Sequence, residues 1–168
     1  MDWSHFTKRI HIAAPKNIVF RAWTTPEGLE QWFLRLAEFK NKQGISRRPD
    51  EVTEPGDHYR WRWHGWGDEM THEGTILLNN DDDELIFTFD AGSESEDMQV
   101  QIQLESGHGG TMVTLKQFNI PTDEESRAQF HVGCLEGWTF YLANLKSILE
   151  GGIDLRNKDQ SIQEVINA

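Results

Sequence analysis

Ala14-Pro15-Lys16-Asn17-Ile18-Val19-Phe20-Arg21-Ala22-Trp23-Thr24-Thr25-Pro26-Glu27 and, far downstream, Gly137-Trp138-Thr139-Phe140-Tyr141-Leu142-Ala143-Asn144-Leu145-Lys146 are the two stretches that decide the fold. Pro15 fixes φ at a helix start, and Ile18, Val19, Ala22 and Trp23 recur at helical spacing. A second helix follows at once: Thr25 caps it, Pro26 and Glu27 suit its first turn, and Leu29, Trp32 and Phe33 give it an apolar stripe. At the other end Phe130, Cys134, Trp138, Tyr141, Leu142, Leu145 and Leu149 line one face of a long helix, which Gly151 and Gly152 stop. Its start reads as a capping box, Thr122 with Glu125, and at ~1.5 Å per residue it is roughly 40 Å long, enough to cross a whole sheet.

Alternating strands fill the space between. Phe6 to Ile12 reads as a first strand, and Asp57 to His64 sets Tyr59, Trp61 and Trp63 on one face against His58, Arg60, Arg62 and His64 on the other. Met70 to Leu78 is a further strand, with Met70, His72, Ile76 and Leu78 in phase, and Asn79-Asn80-Asp81-Asp82-Asp83 is a hairpin tip. Leu85, Phe87 and Phe89 make the next inward row, ended by Gly92. Met98, Val100, Ile102 and Leu104 alternate with polar residues, turn at Ser106-Gly107-His108-Gly109-Gly110, and lead to a last strand with Val113, Leu115 and Gln117 inward. Leu34 to Glu54 shows no clear period and reads as an irregular loop, longer than loops usually are unless they cover something. The expected class is α+β: a curved antiparallel sheet of about six strands wrapped around the long C-terminal helix, with two short helices after the first strand. Residues 1–152 form that domain, and 153–168 a tail in which Ile162, Val165 and Ile166 suit a short amphipathic helix.

Composition narrows the partners. A hydrophobic fraction of 37% in 168 residues is enough for one sizeable core, and seven Trp with nine Phe make that core aromatic or line a cavity with rings. A formal charge of -12 repels phosphate, which argues against nucleic acid. No run approaches the roughly 20 apolar residues of a membrane span, and Met1 to Phe6 lacks the basic and apolar regions of a signal peptide. The lone Cys134 fits a reducing compartment, so the cytoplasm is the expected location. Chemistry is sparse: the seven His form no HExxH and no tight cluster, no Gly-rich phosphate loop follows a strand, and Asp81-Asp82-Asp83 lacks the spaced ligands of a calcium loop. No metal or other cofactor is expected.

The order of elements and the two end motifs together resemble the START-like, or helix-grip (SRPBCC), superfamily. More narrowly, Ala14 to Trp32 is similar to the branch of the activator of heat-shock-protein-90 ATPase C-terminal-like proteins, as are Pro55-Gly56-Asp57-His58-Tyr59-Arg60-Trp61, Glu84-Leu85-Ile86-Phe87-Thr88-Phe89 and Gly137-Trp138 with Leu142, Leu145 and Leu149. Two departures stand out: Asp57 replaces the second Gly of that branch's Pro-Gly-Gly, and the segment after Trp32 lacks its usual Pro. These motifs specify fold better than activity.

A sheet closing on one helix often leaves an interior that takes a ligand. Alternation nominates Trp32, Trp63, Ile76, Phe87, Phe89, Phe130, Trp138 and Tyr141 as apolar lining, with plain core packing the competing account for each. His72 and Gln117 are the polar residues on inward rows, and each needs a partner inside the protein or on a guest. Three functions follow in order: binding of a small hydrophobic or aromatic ligand, a protein-interaction module related to chaperone ATPase activators, and a cyclase- or dehydratase-type enzyme, for which His72 is the one residue to name. No catalytic set is legible, and both a monomer and a homodimer stay open.

Overall fold

The computed structural model describes residues 2–90, 98–162 and 164–165. Strand β1 (His5–Ile12) leads into α1 (Lys16–Thr24) and α2 (Pro26–Trp32), then β2 (Leu36–Lys40), β3 (His58–Arg62), β4 (His72–Asn79), β5 (Glu84–Thr88), β6 (Gln99–Gly107) and β7 (Gly110–Phe118). The chain closes with α3 (Glu124–Ser126), a π-helical segment (Arg127–Val132) and α4 (Gly133–Leu149). All seven strands form one antiparallel sheet in the order β1-β7-β6-β5-β4-β3-β2, curved around the C-terminal helix.

Thr25 makes the corner between the first two helices. Its extended backbone ends α1, its hydroxyl donates to Arg21 O (2.9 Å), and the same oxygen accepts from Gly28 N (3.1 Å). Gly28 is required here, because a Cβ would strike Arg21 O. Asp81 and His108, both with positive φ, turn the two hairpins, the first held by Asn80 Oδ1 accepting from the amides of Asp82, Asp83 and Glu84.

The seventh strand is β2, inside the stretch expected to be irregular. Only Ala37 and Phe39 point inward from it, too few to make a visible period, and β3 rather than local pattern holds it in register. The rest of that stretch is tied down by charge. Arg47 grips Asp57 bidentately (Nε to Oδ2 2.8 Å, NH2 to Oδ1 2.9 Å) and also reaches Glu51 and Glu54. Asp57 is 2% exposed, so the residue that stands where the resembling sequences carry Gly is the buried half of an ion pair.

Three further expectations change. The strand predicted over Met70 to Leu78 begins at His72, and Met70 is exposed. A bulge between Ile76 and Leu78 shifts the register, so Leu78 leaves the inward row and Asn79, opposite Leu85, donates to Thr53 O (2.7 Å). The cap of the last helix is Asp123, which accepts from Ser126 N (2.9 Å), not Thr122. The helix also widens to i→i+5 bonding over Arg127–Val132, which lets the sequence neighbours Phe130 and His131 both be buried. His131 Nδ1 lies 2.9 Å from Trp3 O, between the edges of Trp3 and Phe6.

Residues 153–158 cross the outside of α2 and α4 without helix. Arg156, with a fully buried side chain, donates to the carbonyls of Glu30, Gln31 and Leu34 at the end of α2 and to Asp154. Asn144, buried on α4, joins the same strap to Trp32 O (2.7 Å), Asp154 and Leu155 N. Ile162 is exposed and Val165 half-buried, and Ile166, like Gly92 after β5, lies outside the described residues.

Candidate functional site

The inward rows of the sheet and the stripe of α4 meet in a continuous set of rings. Trp32 stacks on Phe33 (5.1 Å between centroids), Phe33 stacks on Trp138 (5.0 Å) and meets Tyr141 edge-on (4.9 Å), and Trp138 lies 5.4 Å from Phe89. Trp63 closes the set toward the surface, 5.6 Å from Phe33 and 4.8 Å from the His72 ring, which is 6.0 Å from Phe89. Six predicted residues, Trp32, Trp63, His72, Phe89, Trp138 and Tyr141, are thus brought together. Phe33 is their hub and was placed only on the stripe of its helix; its position beside Trp32 at the end of α2 was the available signal.

The remaining candidates sit elsewhere in the interior. Phe87 packs on Trp61 (5.3 Å) and Tyr59 (6.3 Å), with Ile76 opposite it across β4 and β5. Phe130 is buried on the π turn, and no ring contact among the described residues joins it to the Trp138 set. All ten candidates are buried except Trp63 and His72, which are half-buried.

Two polar side chains inside this apolar volume lack full hydrogen bonding. Gln117, 0% exposed on β7, accepts from Trp138 Nε1 (2.9 Å), while its own Nε2 is buried without a partner. Burial pushes the thiol of neighbouring Cys134 up, and the Gln117 side chain nearby pulls the other way. His72 Nδ1 is buried and equally unpartnered. Burial holds the His72 imidazole below its ordinary pKa, against the opposing charge of Asp90. Trp61 Nε1 and Trp23 Nε1 are further buried donors with nothing to bind.

Outside the interior, a groove of about 550 Å³ is lined by Arg60, Arg62, Asp68, Thr71, His72, Glu73 and Asp90, and a smaller one of about 270 Å³ by Lys16, Asn17, Phe20, Arg21, Val52, Asp81 and Asp82. His72 is the one predicted residue that reaches the larger groove. No group of three or more His, Cys, Asp or Glu among the described residues is placed to hold a metal ion, and no described helix is long and apolar enough to cross a membrane.

The family model described as Activator of Hsp90 ATPase homolog 1-like protein matches residues 13–150. A comparison with curated proteins finds no match. Among solved structures, the protein SSP2350 from Staphylococcus saprophyticus is 23% identical with a TM-score of 0.67, covering 90% of this chain and 96% of its own. The Aha1 dimer from Colwellia psychrerythraea is 21% identical (TM-score 0.66; 88% of this chain, 97% of its own). Protein NE0264 from Nitrosomonas europaea is 22% identical (TM-score 0.64; 89% and 97%). At such identities the likeness is one of fold.

Proposed function

The chain belongs to the family of Activator of Hsp90 ATPase homolog 1-like proteins, and from that premise we propose that it binds a small hydrophobic or aromatic molecule between the sheet and α4. The observation that carries this reading is Gln117: a fully buried amide whose Nε2 has no acceptor, set against Trp138 in an aromatic interior. A buried donor left unpaired costs about 1–3 kcal/mol, which a carbonyl or ether oxygen on a guest would recover. The guest is therefore an aromatic or apolar body bearing an acceptor oxygen. Because the rings touch one another, it enters by parting them, and the half-buried Trp63 beside His72 is the ring with most freedom to yield.

The test is a melting-shift screen of the full chain with neutral aromatic compounds, with and without a carbonyl. A bound guest at a hundred times its Kd stabilises by about 2.7 kcal/mol, which moves the transition upward. Carbonyl-bearing compounds are expected to bind more tightly, and Gln117→Leu to erase that preference. The reading fails if no compound at millimolar concentration shifts the melt.

A second reading, a protein-interaction module, rests on the family's description and on Trp66 (50% exposed) and Met70 (40% exposed) beside Asp68 and Glu69 on the β3–β4 connection. The chain's net charge of -12 suits a basic partner, and such binding would weaken with salt. Absence of any salt-sensitive partner from a cytosolic extract would remove it. On either reading the cytoplasm is the proposed place of action, and sedimentation decides between monomer and homodimer.

A further inference from the structure

Three chain segments meet at the Tyr141 and Trp63 end of the ring set. Leu34 and Arg35, just after α2, are held from one side by the 153–158 strap, where Arg156 Nη1 donates to Leu34 O (3.0 Å). From the other side the β3–β4 connection holds them, because Arg35 Nε donates to Trp63 O (3.3 Å) and its Nη2 to Trp66 O (3.4 Å). Tyr141 joins this junction to the rings: it meets Phe33 edge-on, and Arg156 and Asp154 of the strap act on its phenol. His64, in the turn that Gly65 makes with positive φ, is within reach of the same two groups and of Lys158 and Arg35. Since β3 ends at Arg62, strand alternation no longer governs where the His64 side chain lies.

Charge at the junction runs against that of the chain. Asp154 faces two cations, Arg156 (2.8 Å) and Lys158 (2.7 Å), and Asp68 faces two more, Arg35 (2.8 Å) and Arg62 (3.1 Å). The other carboxylates of these segments are engaged locally: Glu30 accepts from Ala37 N (2.9 Å), Asp159 from Ser161 N (2.9 Å), and Glu69 folds over Gly67. Around His64 the cations Arg156, Lys158 and Arg35 face Asp154, and burial, then Arg156 and Lys158, hold its imidazole below the ordinary pKa. A negative group placed there would relieve that excess. At contact distance the local surplus outweighs the chain's net charge of -12, which acts at longer range through screening solvent. Donors are also spare. Among the described residues Lys158 Nζ meets only Asp154, Arg35 Nη1 has no hydrogen bond, and neither has the His64 ring. We propose that this junction seats a carboxylate carried by the guest, held by Lys158 and His64 with Arg35 beside them. The molecule bound is then an aromatic acid whose ring lies among Phe33, Tyr141 and Trp63 and whose acceptor oxygen reaches Gln117. This names the chemical class of guest and rests on the guest-binding reading above.

Three probes that share one aromatic ketone test it on the full chain by calorimetry: 4-ethylacetophenone, 3-(4-acetylphenyl)propanoate and 4-(2-aminoethyl)acetophenone. The propanoate is expected to bind about tenfold more tightly than the neutral ketone, the gain of a hydrogen bond to a charged group, and the amine more weakly than either. Lys158→Gln, an exposed change that leaves the core untouched, should bring the propanoate down toward the neutral ketone without altering the latter. Lys116→Gln, which removes the same charge from the outward face of β7, should leave the preference intact. The proposal is overturned if the propanoate gains nothing over the ketone, if the amine binds as well as the propanoate, if Lys158→Gln preserves the preference, or if Lys116→Gln lowers it equally. Binding of the neutral ketone with no acid preference would keep the guest reading and sink this one; binding of none of the three, with the wider screen also silent, would sink both.

Discussion

Replacing Arg47 by Ala should be among the most damaging single changes in the chain. Its side chain is 9% exposed and its partner Asp57 2%, joined by two bonds of 2.8 and 2.9 Å, with Asp57 Oδ2 also accepting from Glu54 N. The guanidinium holds its proton more firmly than usual, chiefly through Asp57. Removing it leaves a carboxylate buried with only backbone support, flanked by Glu51 and Glu54, which lose the same cation. Breaking a buried pair from one side costs about 3–5 kcal/mol, while replacing both partners by apolar residues of similar size costs far less. Urea unfolding followed by Trp fluorescence measures both. Arg47→Ala should lose about 3–5 kcal/mol, and Arg47→Met with Asp57→Leu about 1–2 kcal/mol or less, a strongly non-additive cycle. Because the pair is buried, the loss should persist at high salt. A loss below about 1 kcal/mol for Arg47→Ala, or a double variant as unstable as the two single losses summed, would refute the reasoning.

Gly74→Ala forces a Cβ to within 2.5 Å of Tyr59 Cζ and 2.6 Å of Thr88 Oγ1, so calorimetric melting should show a loss of about 1–3 kcal/mol from overpacking between β4 and its neighbours. Arg156→Met removes the donors that hold Glu30 O, Gln31 O and Leu34 O, and about 3 kcal/mol should go with them, read as faster amide exchange at the end of α2 before other helices. Burial keeps His72 below its ordinary 6.5, with His64 shifted the same way by burial and by Arg156 and Lys158. The unfolded chain therefore binds protons first, so this contribution is complete above pH 6.5 and is lost as pH falls through the folded values. Melting temperature should fall on acidification from pH 7.5 to 5.5, and His72→Gln should flatten part of that slope; an unchanged slope would contradict the assignment.

What could be read from the letters was what is local and periodic. Met98, Val100, Ile102 and Leu104 announced β6 because a half-buried strand repeats every second residue, and Thr25-Pro26-Glu27 announced α2 because caps act over three residues. Even two interior polar groups, His72 and Gln117, were legible as breaks in an apolar row. What depended on distant partners was not. β2 exists because β3 lies beside it, the bulge at Leu77 undoes the phase of Leu78 without any marker residue, and the π turn uses letters that suit an α-helix equally well. The buried anchors are of the same kind: Arg156 finds Leu34 O 122 residues away, and Asn144 finds Trp32 O across 112. Phe33 became the hub of the rings only through contacts with Trp63, Trp138 and Tyr141 that no single helix pattern contains.

The interior hydrogen-bond donor is the point on which guest binding stands, and NMR can watch it directly. With the side-chain amide of Gln117 assigned in the full chain, titration with a neutral aromatic ketone should move that NH2 pair downfield, together with the indole N–H of Trp138, and give contacts from the ligand ring to Phe33 and Phe89. If the Gln117 and Trp138 signals stay fixed while the ligand contacts only surface residues, the interior is a packed core and not a binding site.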